Sequence, residues 1–283
     1  MGMHMARNLH RAGLLAGCWN RTANKAQALA GETGCSAATS PAALARLSEA
    51  VVLCVSADAD VLAVVEALLP GVRPGLLVVD CSTVSAATAR TAAARLAGAG
   101  ADFVDCPVSG GVEGARDATL AMMAGATPEA FARALPLLEK LGRTITHMGP
   151  TGAGQAAKAT NQIMCAGIIQ AVAEAMAFAK AEGLPLDKVI DTLGKGAGSS
   201  WYFVNRAPFM ARGSFPAGFR VRLHDKDLRI CHDMAAQHGV ELPVVETTLG
   251  QYAELIAAGY GDEDISTLFR LKDALFAHGG TPR

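Results

Sequence analysis

Apolar residues fall in short continuous runs in the first half of the chain and recur at helical spacing in the second. Leu14–Trp19, Cys35–Ala38, Val51–Val55, Leu76–Asp80, Ala101–Cys106, Thr119–Met123 and Ile145–Met148 have strand length and few polar interruptions. Helical stretches separate them: 3–12, Lys25–Ala30, a segment opened by Ser40-Pro41 as N-cap and first helical residue, Asp60–Leu69, Ala86–Ala97 and Pro128–Leu141. Strands that are apolar throughout and alternate with helices predict a parallel, doubly wound sheet covered on both faces. Beyond Gly149 no strand pattern appears. Helices are expected over Leu186–Leu193, Trp201–Arg212, Phe219–His238, Val244–Ala258 and Ile265–Ala277. The reading is two domains, an α/β unit at 1–150 and an all-α unit at 151–283.

A long helix joins them. From Ile163 to Ala179 it is apolar on every side except at Gln170 and Glu174, the pattern of a buried rod. Its polar residues gather near the start, where Lys158, Asn161 and Gln162 stand at i, i+3 and i+4 and share one face. A lysine there is costly unless it has a task.

Bulk properties narrow the possibilities. With 25 Lys+Arg against 26 Asp+Glu, the chain offers no electrostatic case for nucleic acid or an anionic membrane. Seven scattered cysteines without a CxxC pair read as reduced thiols of a cytoplasmic protein. The histidines form no ligand spacing, so no metal site is expected. The most apolar windows are broken by Asp58 and Asp60 or by Gln170 and Glu174, which argues against a membrane span.

Doubly wound sheets bind ligands at the carboxyl ends of their strands. The polar turns to watch are Asn20–Thr22, Ser56–Asp58, Ser82-Thr83 and Pro107–Gly111. A dinucleotide domain opens with a strand and G-x-G-x-x-G, whose glycines let a pyrophosphate approach a helix N-terminus. Here Gly2 and Met3 open a helix directly, so Gly2 can serve only as the third glycine. The first strand, about five or six residues, and the first two glycines are expected either upstream of Met1 or lost. Asn20-Arg21-Thr22 falls roughly 20 residues on, where the ribose is read. An acidic residue there would suit NAD, whereas Asn20 followed by Arg21 suits the 2′-phosphate of NADP; a solvated polar turn is the alternative. The loop Cys106-Pro107-Val108-Ser109-Gly110-Gly111 offers a hydroxyl and two glycine N–H groups, either as a small anion nest or as a capped glycine turn.

Taken together, GAGQAAKATNQ, CPVSGGVEGA and CSTVSAATAR resemble the β-hydroxyacid dehydrogenase family, which includes 3-hydroxyisobutyrate dehydrogenases and tartronate semialdehyde reductases. The likeness spans nearly the whole chain. The family's G-x-x-G-x-G-x-x-x-K-x-x-N is met by Gly149, Gly152, Gly154, Lys158 and Asn161, which implies Lys158 as the catalytic lysine, with Asn161 and Gln162 as an amide pair toward substrate. The match of Asp105–Gly111 to the substrate loop implies Ser109, Gly110 and Gly111 as substrate binders. The resemblance further implies that Thr83 borders the cofactor, as do Val55 and Ser56, although Cys54-Val55-Ser56 stands where the family has Met-Leu-Pro. It implies Arg21 as a mark of NADPH preference, and Lys226, supported by Asp227, as a residue closing over the nicotinamide. Ala118 replaces a usual glycine, read as a packing change.

The implied reaction is hydride transfer between a small 3-hydroxy acid and its semialdehyde, with NADP favoured over NAD. Lys158 would act as general acid/base, its pKa lowered by partial burial and a helix N-terminus. A homodimer or homotetramer is expected from the family. The rival expectation is a non-catalytic dinucleotide- or partner-binding relic, made inert by absence of the first strand.

Overall fold

A computed structural model describes residues 1–278. The chain divides into two compact units, Met1–Lys158 and the remainder from Ala159. The first unit runs α1 (Gly2–Arg11), β1 (Gly17–Cys18), α2 (Ala23–Thr33), β2 (Ser36–Ala37), α3 (Pro41–Leu47), β3 (Ala50–Leu53), α4 (Asp58–Leu68), β4 (Leu77–Asp80), α5 (Ala86–Gly98), β5 (Asp102–Asp105), β6 (Val108–Ser109), α6 (Gly111–Asp117), β7 (Leu120–Gly125), α7 (Pro128–Leu138) and β8 (Gly142–Gly149). Then comes α8 (Ala153–Ala181), inside which the two units meet in sequence. The second unit continues with α9 (Leu186–Leu193), α10 (Trp201–Arg212), α11 (Val221–Ala236), α12 (Pro243–Ala257), a 3-10 turn at Ile265–Leu268 and α13 (Phe269–His278).

Local chemistry sets many of these ends. Ser40, Ser85, Thr127 and Ser200 each accept a backbone N–H three residues on, capping α3, α5, α7 and α10. Leu77, Val78 and Val79 of β4 are almost fully buried, as a strand covered on both faces must be. Two apolar clusters hold the first unit, one containing Met5, Val79, Val104 and Met122, the other Val61, Val65, Val78 and Phe103.

The sheet departs from the all-parallel expectation. β3, β4 and β5 are parallel, and β7 and β8 are parallel, but β7 runs antiparallel to β5 and to β6. A parallel return needs a crossover long enough to bring the chain back along a strand. The connection from β5 instead spends its residues on β6 and on α6, which has 7 residues and so is about 10 Å long. β1 and β2 form a separate two-stranded parallel sheet, shorter than the expected runs.

Ala118 is a backbone matter rather than a packing change. It caps α6 in the left-handed conformation at φ 55, the sole non-glycine with positive φ among the described residues. A side chain in that region costs about 1 kcal/mol relative to glycine.

In the second unit, α8 supplies a buried stripe of Ala166, Ile169, Ala173, Met176 and Ala177. The helix is not apolar-buried all round, because Met164 and Phe178 are 62% and 53% exposed. By length and composition alone α8 is long and apolar enough to cross a membrane, a test that a core helix also passes, and 44% of its most apolar window is buried. The two polar interruptions are used within the unit. Gln170 donates to Thr248 and Gln251, and Glu174 accepts from the buried Lys272.

Candidate active site

In the first unit the start of α8 is fastened to the carboxyl ends of the strands. The fully buried Asp105, last residue of β5, accepts the N–H of Gly152 at 2.7 Å on one oxygen and that of Gln155 at 3.0 Å on the other. A carboxylate receiving the unpaired N–H groups of a helix start is favourable in both charge and geometry. Burial pushes the Asp105 carboxyl above its ordinary range, and these N–H groups pull it back. The approach is so close that a Cβ on Gly154 would lie 2.3 Å from the Met123 carbonyl oxygen, and one on Gly125 2.6 Å from Asp105 Oδ1.

Gln155 makes the second fastening. Its Nε2 donates to the Ser82 carbonyl at 2.9 Å and its Oε1 accepts the Val84 N–H at 3.1 Å, so one amide holds both neighbours of Thr83. Lys158 follows three residues later on the same side of the helix, 7% exposed. The signal for Gln155 was present in the i−3 spacing from Lys158, but its partners lie 71 and 73 residues away.

Ser109 lies in β6 opposite Ala121, half-buried, and Gly110 and Gly111 are exposed. Both glycines have positive φ, 128 and 66, so the loop needs them for its path. Gly111 opens α6, a helix that the glycine-rich sequence concealed, and Glu113 stands in its first turn.

At the other expected contact points, Gly2 and Met3 begin α1, whose first turn has no acidic residue and no side-chain cap. Gly2 lets the helix end press against Cys54, where a Cβ would sit 3.3 Å from the Cys54 Cβ. Asn20, Arg21 and Thr22 are exposed, the Asn20 side chain accepting the Thr22 N–H. Arg21 is not idle: its Nη1 pairs with Asp60 Oδ1 at 2.9 Å. The Val55 N–H donates to Ser82 Oγ, Ser56 is exposed and Thr83 is half-buried. An uncapped helix end with no carboxylate in its first turn, together with an exposed asparagine–arginine turn, fits an anionic dinucleotide.

The second unit holds the other polar group. Gln162 is 1% exposed, and its amide is spent internally: Nε2 donates to Asp227 Oδ2 at 2.5 Å and Oε1 accepts from Asn161 Nδ2 at 3.2 Å. Asn161 is half-buried and also donates to Cys165. Asp227 pairs through its other oxygen with Lys226 Nζ at 2.8 Å. Behind them the fully buried His224 contacts Tyr252 Oη at 3.0 Å and the Gln162 carbonyl at 3.3 Å. Expected together on one helix turn, Asn161 and Gln162 thus differ in access. No cluster of three or more metal-ligating side chains occurs among the described residues.

Comparison with known proteins matches both halves. Residues 1–149 fit the NAD binding domain of 6-phosphogluconate dehydrogenase, and residues 152–272 the NAD-binding domain of NADP-dependent 3-hydroxyisobutyrate dehydrogenase. The NAD-dependent L-serine dehydrogenase of Pseudomonas aeruginosa is 33% identical over 285 residues, covering 96% of this chain and 95% of that protein. The chain belongs to the β-hydroxyacid dehydrogenase family. Another family member, the L-threonate dehydrogenase of Escherichia coli K12, is 32% identical over 96% of this chain and 91% of its own. A solved 3-hydroxyisobutyrate dehydrogenase of Mycobacterium tuberculosis, with L-serine, superposes with a TM-score of 0.86 at 32% identity, covering 96% and 95% of the two chains. The first unit is accordingly an NAD(P)-binding domain.

Proposed function

We propose that this protein oxidises a small 3-hydroxy acid to its semialdehyde, or runs the reverse reduction, with NADP preferred over NAD. The observation that carries the proposal is Lys158, buried on the second turn of a helix whose start is pinned by Asp105 and Gln155. A lysine held at a fixed place and out of water is suited to moving one proton at a defined atom.

When bound, the nicotinamide supplies the hydride acceptor or donor. Lys158 Nζ takes the hydroxyl proton during oxidation and returns it to the carbonyl oxygen during reduction, a role that contributes about 10²–10⁴-fold. Ser109 Oγ with the Gly110 and Gly111 N–H groups holds the substrate carboxylate, and Asn161 orients the hydroxyl. Gln162 serves that contact by fixing Asn161 and Asp227, because its own amide is already used. Asp227 in turn steadies Lys226 for the cofactor. Gly2, Met3, Val55, Ser56 and Thr83 border the dinucleotide, with Thr83 set by the grip of Gln155 on its neighbours.

Support for NADP comes from Arg21, 83% exposed on the ribose-reading turn. Asp60 opposes it, and the serine dehydrogenase relative is named for NAD. The relatives are dehydrogenases matched over nearly their full length, which disfavours the non-catalytic reading. Met164, Ala171, Ala175 and Phe178 leave an exposed apolar stripe on α8 at helical spacing, which supports a homodimer. Seven free cysteines support the reducing cytoplasm.

A panel of 3-hydroxy acids, among them L-serine, L-threonate and 3-hydroxyisobutyrate, set beside simple 2-hydroxy acids and assayed with NADP and NAD by appearance of reduced nicotinamide, tests the reading. Turnover of at least one acid, faster with NADP, is expected. Activity confined to 2-hydroxy acids, or none with either cofactor, overturns it.

A further inference from the structure

Of the seven free cysteines, Cys18 and Cys35 are in direct sulfur contact, their Sγ atoms 3.7 Å apart. Cys18 ends β1 and Cys35 stands just before β2, the two strands of the small parallel sheet. Both are half-buried, so a small oxidant can reach them while neither is lost in the core. The chain between them holds the Asn20–Thr22 turn and all of α2. Gly34, left-handed at φ 74, closes α2 directly before Cys35.

We propose that Cys18 and Cys35 are a peroxide-oxidisable dithiol whose reversible disulfide shifts the ribose-reading turn. Closing the bond brings the sulfurs from 3.7 Å to about 2.05 Å. Cys18 Sγ, which donates to the Ala26 carbonyl at 3.4 Å, must leave that partner, and Cys18 lies two residues before Asn20. Burial and the neighbouring sulfur push the Cys18 thiol up, and its Sγ is already engaged with the Ala26 carbonyl, so the first step is assigned to Cys35. The Cys35 thiolate attacks one oxygen of hydrogen peroxide, the O–O bond breaks, and the departing hydroxide leaves as water after taking a proton. The Cys18 sulfur then attacks the Cys35 sulfenic sulfur. An S–S bond forms, the S–O bond breaks, and the hydroxyl departs with the Cys18 proton as a second water. Two thiols and one peroxide thus give one disulfide and two waters, and an added dithiol reverses the change.

The effect on cofactor rests on the function proposed above; the cross-link itself does not. The full-length chain is treated with hydrogen peroxide, digested without reductant and mapped by mass, and NADPH is titrated against the oxidised and reduced forms. A linked Cys18–Cys35 peptide that dithiothreitol removes is expected, with NADPH affinity several-fold lower in the oxidised form. In Cys18→Ser the reaction stops at a Cys35 sulfenic acid that dimedone traps, and NADPH affinity stays at the reduced level. Oxidation of either cysteine to the sulfinic acid without the linked peptide, or cross-linking to a different cysteine, overturns the dithiol. A linked chain with unchanged NADPH affinity overturns its action on the turn. A reduced chain that binds no dinucleotide contradicts the dehydrogenase reading, while the linked peptide is still judged by mass alone.

Discussion

Replacing Asp105 by Asn probes the joint that positions the proposed catalytic lysine. The carboxylate accepts two helix-start N–H groups, one on each oxygen, from a fully buried position. Each hydrogen bond to a charged group contributes about 1.5–3 kcal/mol, and a buried donor left unmade costs about 1–3 kcal/mol. Asparagine keeps one acceptor and turns an N–H against the other donor. Relief of the burial that pushes the Asp105 carboxyl up offsets part of the loss. The net expectation is about 2–3 kcal/mol of destabilisation, read from urea unfolding of the full chain. Lys158 follows Gln155 by less than one helical turn, so a displaced helix start displaces its Nζ as well. Misplacement by an ångström can cost about 10²-fold, so kcat should fall tenfold or more, by the same order of reasoning, while NADP affinity changes little. A variant within about 0.5 kcal/mol of the parent and with unchanged kcat would refute the positioning role of this contact.

Three further outcomes are expected. Ala118→Gly relieves the left-handed strain at φ 55 and should stabilise by about 1 kcal/mol; a loss of stability contradicts the backbone account. Asp60→Asn frees Arg21 from its carboxylate partner, and since exposed pairs contribute about 0.2–1 kcal/mol, NADPH affinity should rise by up to about fivefold with NADH unchanged. An equal rise for both cofactors counts against Arg21 as the 2′-phosphate reader. Burial raises the Asp80 carboxyl to about 7, with one oxygen lacking a hydrogen-bond partner. The folded state therefore holds that proton more tightly than the unfolded chain, and the stability it contributes is complete below about pH 4 and lost by about pH 7. Asp80→Asn should gain stability relative to the parent across that window, by on the order of 4 kcal/mol at most. A difference between the two proteins that does not change with pH refutes this.

The fold was legible in the sequence where apolar runs and caps carry it. The Leu76–Asp80 run became β4 nearly residue for residue, and Ser40-Pro41 opens α3 as its chemistry requires. Strand direction was not legible, because a run such as Thr119–Met123 reads the same whether β7 lies parallel or antiparallel to β5. The turn at Gly110-Gly111 hid α6, since glycine argues against a helix by propensity yet supplies the positive φ that starts this one. The candidate site was legible as residue types on one helix face but not as partnerships. Gln162 and Asn161 look alike in sequence, and only the bond from Gln162 to Asp227, 65 residues on, separates a buried strut from an accessible amide. Gln155 and Asp105 act through partners 47 to 73 residues away, a separation at which no local pattern survives.

The most direct measurement is single-turnover hydride transfer by Lys158→Ala, made alongside an NADPH titration. With the proton acceptor gone, the rate on a substrate identified by the panel should fall by about 10²–10⁴-fold. NADPH affinity should stay within about threefold, a difference under 0.7 kcal/mol at about 1.4 kcal/mol per decade. A rate close to the parent's, with cofactor binding intact, would contradict the assignment of Lys158 and with it the central claim.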